Sequence, residues 1–287
     1  MEDLTTEILP MQLHSLTDAA CSDVGRARKH NEDSFGLKTY TKKEQNNQQK
    51  KIYSQGLYII CDGMGGHEGG EVASSLAVET IEGFMDRNWT YQLPDKETIN
   101  SAILEANQAI YNINQTNGSS GRRSMGTTLA MLLLQDTHLA IANVGDSRIY
   151  RINRHLGLEQ ITLDHEVGQD LINQGVDPAI AYSSADSYQL TQALGPVEND
   201  YVSPDIKFFN INEDSLFLLC SDGLSDNNFI ETHWEEYLKP LLSGNSDLEN
   251  GLNMFIELAA EENGHDNITG ILVRIKVRPI LSQFFSF

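Results

Sequence analysis

Apolar residues along this 287-residue chain gather in short runs of strand length, interspersed with stretches of helical period. The runs 57–61 (LYIIC), 127–134 (TTLAMLLL), 138–143 (HLAIAN), 147–152 (SRIYRI), 206–209 (IKFF), 215–220 (SLFLLC) and 268–277 (ITGILVRIKV) predict strands. They are short, apolar and rich in β-branched or aromatic residues. Three segments carry the other period. Val72, Leu76, Ile81 and Phe84 recur with helical spacing in 71–86, and Ile99, Ile103, Ala106, Ile110 and Ile113 do so in 97–114. Leu248, Leu252, Phe255, Ile256 and Ala259 form one face of 247–262, with Gly264 placed to end the helix. Strands come in adjacent runs, and the long helices come as a pair and then singly. That order predicts an α+β fold of antiparallel sheets sandwiched by helices, not alternating βαβ units. The polar, unpatterned stretch 41–51 (TKKEQNNQQKK) is expected as a loop or hairpin tip, and residues 1–12 as a short tail. No boundary splits the rest into independent domains.

Charge narrows the picture. Forty-one acids against 20 bases leave a formal charge of −21, a field that repels nucleic acid and anionic membranes, so neither is an expected partner. The same field favours cations, although on composition alone an acidic surface kept for solubility is the better explanation. Cys21, Cys61 and Cys220 are too few for a disulfide framework, and two of them sit in apolar runs where a thiol packs as a small hydrophobe. The acidic start MEDLTTEILP has no signal-peptide pattern, and no apolar run approaches the ~20 residues of a membrane span, so a cytoplasmic protein is expected.

The candidate chemistry lies at strand ends. LYIICDGMGG and LFLLCSDGLSD both close an apolar run with Asp-Gly, at Asp62-Gly63 and Asp222-Gly223. A strand that ends this way delivers a carboxylate to a fixed point at the sheet rim, and the glycine lets backbone approach whatever it holds. Hard divalent cations such as Mg²⁺ and Mn²⁺ take oxygen ligands of this kind. Asp266 precedes the last strand, Asp146 lies in a tight turn of NVGDSRIY, and Glu32 and Asp33 sit in RKHNEDSF. Each alone reads first as a turn residue. Together they are a set of acidic motifs at strand edges that one fold could gather at one rim, where self-repulsion calls for cations. GMGGHEGG is no phosphate-binding loop: it lacks the Lys-Ser/Thr ending, and Glu68 stands where a dinucleotide loop needs its third glycine.

The ordered series GRARKHNEDSF, CDGMGGHEGG, MGTTL, VGDSRIYR, LDHEVGQDLINQG, LTQALG, CSDGLSD and HDNIT resembles the metal-dependent protein serine/threonine phosphatases of type 2C, in their bacterial-like branch. The resemblance spans roughly residues 16–277. It implies a central β-sandwich of two antiparallel sheets flanked by α-helices on both sides, a four-layer αββα arrangement. It further implies a phosphatase domain over 13–278, with a flap at about 165–200 and a short C-terminal tail at 279–287. The implied cofactors are two Mn²⁺ or Mg²⁺ ions. A water or hydroxide between them attacks a phosphoserine or phosphothreonine of a protein substrate, without a covalent phosphoenzyme. Asp62 matches the bridging aspartate, with the Gly63 carbonyl on one ion and Asp222 and Asp266 on the other. Glu32 and Asp33 match the acidic pair that helps hold the metals, and Asp146 matches a residue that binds a third ion with the Asp222 equivalent. Arg28 matches the phosphate-binding arginine; without the resemblance it reads as a surface arginine beside Arg26 and Lys29. Some members carry a histidine two residues after the bridging aspartate, where this chain has Met64. His67 is the candidate for protonating the leaving alkoxide, and a histidine bonding loop backbone is its other reading. Gln192 stands where many relatives have arginine. A monomer is expected. Two rivals remain: a pseudophosphatase that binds phosphorylated partners without turnover, and a Ca²⁺-binding structural protein that needs neither arginine nor flap.

Overall fold

Successive side chains of a strand point to opposite faces, so a run that is apolar at every position must be covered on both. The computed structural model, which describes residues 10–46, 49–65, 69–118 and 124–280, covers them by stacking two sheets and capping each with helices. The strands are β1 (Met11–Asp23), β2 (Asp33–Asn46), β3 (Gln49–Met64), β4 (Gly126–Thr127), β5 (Leu129–Gln135), β6 (His138–Val144), β7 (Arg148–Asn153), β8 (Gly157–Gln160), β9 (Asp205–Asn210), β10 (Ser215–Cys220) and β11 (Ile268–Pro279). The helices are α1 (Gly69–Asn88), α2 (Lys96–Thr116), α3 (Val167–Asn173), α4 (Pro178–Ala181), α5 (Asp222–Ser225), α6 (Phe229–Tyr237) and α7 (Leu248–Glu262). One sheet has the order β1-β11-β10-β7-β8, and the other β2-β3-β5-β6-β9 with β4 paired to the end of β3. All the pairings are antiparallel.

Three cores follow from the alternation. Ile60, Leu132, Ile141, Phe217, Leu219 and Val273 fill the space between the sheets. Their strand neighbours Ile59, Met131 and Leu133 turn outward onto Ala77, Ile81, Ile103 and Ile110 of α1 and α2. On the far side, Leu218 and Leu272 pack against Leu252, Phe255 and Ile256 of α7. The layers are therefore helix, sheet, sheet, helix, as expected.

Several elements depart from the sequence pattern. The strand expected at 127–134 breaks at Thr128 into β4 and β5. β1 begins at Met11 and runs along β11, which reaches Pro279; its mixed burial hides the period of two. Most of 41–51 is strand and not loop: β2 and β3 stay in register out to Asn46↔Gln49. That stretch is polar because β5 joins β3 only between Gln55 and Ile60, which leaves the outer ribbon two-stranded. The edge strand β8 and the helix α6 carried no legible pattern.

Buried amides fasten the connections. Asn114 of α2 donates through Nδ2 to the carbonyls of Met125 (2.8 Å) and Gly195 (2.9 Å) and accepts the Met125 amide at Oδ1 (2.9 Å). It ties α2 to the start of β4 and to the chain returning from 165–200. Asn114→Ala leaves three buried backbone groups without partners. It is expected to lower stability by about 3 kcal/mol, read from the midpoint of urea unfolding at unchanged slope.

Candidate metal centre

The sheet pairing decides where the acidic residues meet. Asp33 opens β2 directly opposite Asp62 near the end of β3, so two carboxylates face each other across one ladder. The backbone of Asp62 is pinned there: its carbonyl accepts from Thr127 Oγ1 (2.9 Å) and the Thr128 amide (2.9 Å), and its amide donates to Thr128 Oγ1 (3.0 Å). The break at Thr128 between β4 and β5 makes this grip possible. Gly63 follows in a crowded place, where a Cβ would run into the Gly70 and Glu32 carbonyls. Its amide donates to Glu32 O (3.1 Å), which draws the β2 approach against the β3 end.

The other sheet, and the turn that crosses to it from β6, supply the rest. Asp222 follows β10 and starts α5, and Asp266 precedes β11. Asp146 lies between β6 and β7, after Gly145 in the left-handed region (φ +98°), a backbone shape that strains any larger residue. Asp33 reaches across to this sheet: its Oδ2 accepts from Ser221 Oγ (2.8 Å) and Thr269 Oγ1 (2.6 Å). Asn267 staples the segment before β2 to β11. Its Oδ1 accepts the Glu32 amide (2.8 Å), and its Nδ2 donates to the carbonyls of Val24 (2.9 Å) and His30 (3.0 Å). Arg28, on that segment, donates from Nη2 to Asp266 Oδ2 (2.6 Å).

Electrostatics mark the cluster. Burial pushes Asp33 up to about 7, helped by the charges of Asp222 and Asp266 and opposed by its two hydroxyl bonds. Asp222 rises to about 6, by burial first and then by Asp226 and Asp266. Asp62 and Asp146 are held well above the usual carboxylate range, again by burial first, with Asp222 the largest charge on each. Burial also raises Glu32, against the lowering effect of Arg28. These residues meet solvent at the rim while their oxygens are shielded: Asp33 Oδ1 and Asp222 Oδ1 are both buried without a hydrogen-bond partner.

Among the described residues no three His, Cys, Asp or Glu side chains close around a common point as a finished cation cage. Asp62 instead feels the charge of Asp222, and Asp266 holds Arg28. The donor set nevertheless fits hard divalent cations. It consists of desolvated carboxylates from both sheets, two of them with an oxygen left over, which opposite charge would satisfy. Asp146, Asp222 and Asp226 also line a cavity of about 580 Å³ with Glu166 and Tyr188 from the 165–200 segment. That segment holds α3, α4 and two short turns. It is anchored where the His165 amide donates to Gly145 O (3.0 Å), beside Asp146.

The structure thus brings Glu32, Asp33, Asp62, Gly63, Asp146, Asp222, Asp266 and Arg28 to one end of the sandwich. His67 lies outside the described residues. Met64 pairs with Gly126 in the β3–β4 ladder, and Gln192 accepts the Ser203 amide at Oε1 (3.2 Å). Sequence reasoning missed Ser221, Thr269, Thr128 and Asn267. Two of these adjoin aspartates it singled out, and all four lie within the quoted motifs MGTTL, CSDGLSD and HDNIT, which were the signal available.

Comparison with known proteins gives the family. The protein phosphatase 2C family profile matches residues 40–256. The serine/threonine phosphatase stp of Listeria monocytogenes is 34% identical over 255 residues, covering 88% of this chain and 93% of the relative. The crystal structure of the Mycobacterium tuberculosis serine/threonine phosphatase PstP/Ppp superposes with a TM-score of 0.72 at 30% identity, covering 91% of this chain and 99% of that one. A PstP catalytic domain in complex with two manganese ions gives 0.69 at 28% identity, covering 93% of this chain and all (100%) of that one. The chain belongs to the protein phosphatase 2C family.

A pH dependence follows from the raised carboxyls. A carboxyl whose folded-state pKa lies above its unfolded value of about 4 stabilises the fold below that value. That contribution is lost as pH rises through about 6 for Asp222 and about 7 for Asp33. Cations replace the lost protons, so the rise in Tm that Mn²⁺ produces over chelator is expected to be larger at pH 8 than at pH 5. Equal rises at both pH values would count against the cluster as the cation site.

Proposed function

We propose that this chain is a Mn²⁺- or Mg²⁺-dependent protein serine/threonine phosphatase that hydrolyses phosphoserine and phosphothreonine on proteins, with water as the direct nucleophile. The observation that carries the reading is the buried carboxylate cluster of Asp33, Asp62, Asp146 and Asp222, with two unpartnered oxygens and Arg28 alongside. The names of the relatives and the two manganese ions of the PstP domain support it.

In this reading Asp62, the Gly63 carbonyl, Asp222 and Asp266 would hold the ions, with Asp62 as the carboxylate the ions would share. Glu32 and Asp33 orient the set, and Asp146 with Asp222 takes a third ion. Bound cations supply Lewis acidity, which lowers the pKa of water and offsets charge on the phosphoryl oxygens. Arg28 orients the phosphate. Nη2 alone donates to Asp266, so the half-exposed guanidinium keeps N–H groups for a bidentate grip on two phosphoryl oxygens. His67 is assigned the proton for the leaving alkoxide. The 165–200 segment faces the substrate as a flap, a role supported by Glu166 and Tyr188, which share a cavity with Asp146 and Asp222. The catalytic unit runs from β1 to β11 and works as a monomer in the cytoplasm. Its free thiols at Cys21, Cys61 and Cys220 suit a reducing compartment. Among the described residues no helix is long and apolar enough to cross a membrane.

Hydrolysis of a phosphothreonine peptide tests the proposal. Turnover should require Mn²⁺ or Mg²⁺ and stop in chelator. Asp222→Asn should cost more than the about 10–100-fold typical of losing a supporting residue around a metal. Arg28→Ala should act mainly by raising KM. Folded, Mn²⁺-loaded protein that binds the peptide without turnover would instead identify a pseudophosphatase.

A further inference from the structure

Asp33 joins the two sheets through direct hydrogen bonds, and with its carboxylate ionised the direction of those bonds is fixed by counting protons. A hydroxyl has a single hydrogen. Thr269 Oγ1 gives its hydrogen to Asp33 Oδ2 (2.6 Å), so at its 2.7 Å contact with Ser22 Oγ it must accept. Ser22 therefore donates, and it receives in turn from Asn31 Nδ2 (2.8 Å). Ser221 Oγ likewise donates to Asp33 Oδ2 (2.8 Å) while accepting the Thr269 amide (3.0 Å). The circuit closes on itself, because Asn31 Oδ1 accepts the Asp33 amide (3.2 Å). Every donor in it runs toward one oxygen, and bonds aligned head to tail in a low-dielectric interior polarise one another. The other oxygen, Oδ1, is buried and unpartnered.

We propose that Ser221 and Thr269, with Ser22 behind Thr269, are positioning residues: the first two saturate Asp33 Oδ2 and so leave Oδ1 as the oxygen offered to the divalent-cation site. The inference rests on the phosphatase reading above. It also accounts for where the hydroxyls come from. Ser221 immediately precedes Asp222, and Thr269 lies three residues after Asp266, on segments that carry the second sheet's carboxylates. Ser22 sits opposite Thr269 on the β1–β11 ladder. A carboxylate from one sheet is thus keyed to the two strands that carry ligands from the other. The hydroxyls fix the spacing of the two half-sites as well as the rotamer of Asp33.

Mn²⁺ titration calorimetry on the full chain, with Tm measured in chelator, tests this. The double variant Ser221→Ala/Thr269→Val should weaken Mn²⁺ binding at one site or more by about 10–100-fold, the usual effect of removing an outer partner of a metal ligand. Thr269→Ser, which keeps the hydroxyl, should retain wild-type affinity. Ser22→Ala, which does not touch Asp33, should weaken binding in the same direction but less; it carries the test if the double variant fails to fold. A lower Tm with unchanged Mn²⁺ affinity in all of these variants would make the hydroxyls merely structural and overturn the proposal. Wild-type protein that takes up no Mn²⁺ would overturn the phosphatase reading, and this inference with it.

Discussion

Like charges forced into one desolvated space are the constraint on which this structure turns. Asp33 and Asp62 face each other across a single ladder, Asp222 and Asp266 close in from the second sheet, and Asp146 does so from the turn that joins the two. Nothing in their own chemistry favours that meeting, since each raises the proton affinity of its neighbours and burial raises it further. The surroundings are built to hold it. The three inter-layer cores supply the free energy of association. Thr127 and Thr128 lock the Asp62 backbone, Asn267 locks the segment before β2, and Arg28 sets one positive charge against Asp266. The residual imbalance is what makes the rim a place for cations.

The wider electrostatics have the same sense. The chain's −21 charge is not uniform decoration, because its deepest part lies where hydration is poorest. The neighbouring cations are committed to structure. Arg148, which lines the same cavity as Asp146 and Asp222, spends its guanidinium on Asp164 (2.7 to 3.1 Å). It cannot serve as the missing counter-charge without giving up a bidentate partner. Asp226, at the cavity's other edge, engages His265 Nε2 (3.0 Å). Positive charge for the centre must therefore come largely from outside the chain.

The layered fold and the strand-end aspartates were legible in the sequence because both rest on local pattern. Apolar runs such as 215–220 reveal a strand covered on both faces, and Asp-Gly reveals where it stops. The helices α1, α2 and α7 differ from the expected 71–86, 97–114 and 247–262 by only one or two residues at each end. β1 was not legible as a strand, because its burial follows no period of two. The outer part of the β2–β3 ribbon was not either, because its residues are polar and, among the described pairings, no third strand joins it there. Ser221 and Thr269 were invisible for another reason. A serine after a strand and a threonine inside one are unremarkable until the register places both on Asp33, which lies 188 and 236 residues away from them.

That separation bears on how the protein comes into being. β11 is the central partner of β1 and β10, and it carries Thr269, while Asp266 and Asn267 stand at its threshold. Among the described residues β1 pairs with no other strand of its sheet, so it must wait for β11, synthesised long after it. Contacts this distant in sequence close slowly, since a long loop loses entropy before the contacts repay it. A chain still emerging from the ribosome can build the β2–β3 hairpin and dock α1 upon it, yet it holds only half of the acidic set. A chain cut before Asp266 therefore lacks that carboxylate, Thr269 and the strand partner of β1 all together.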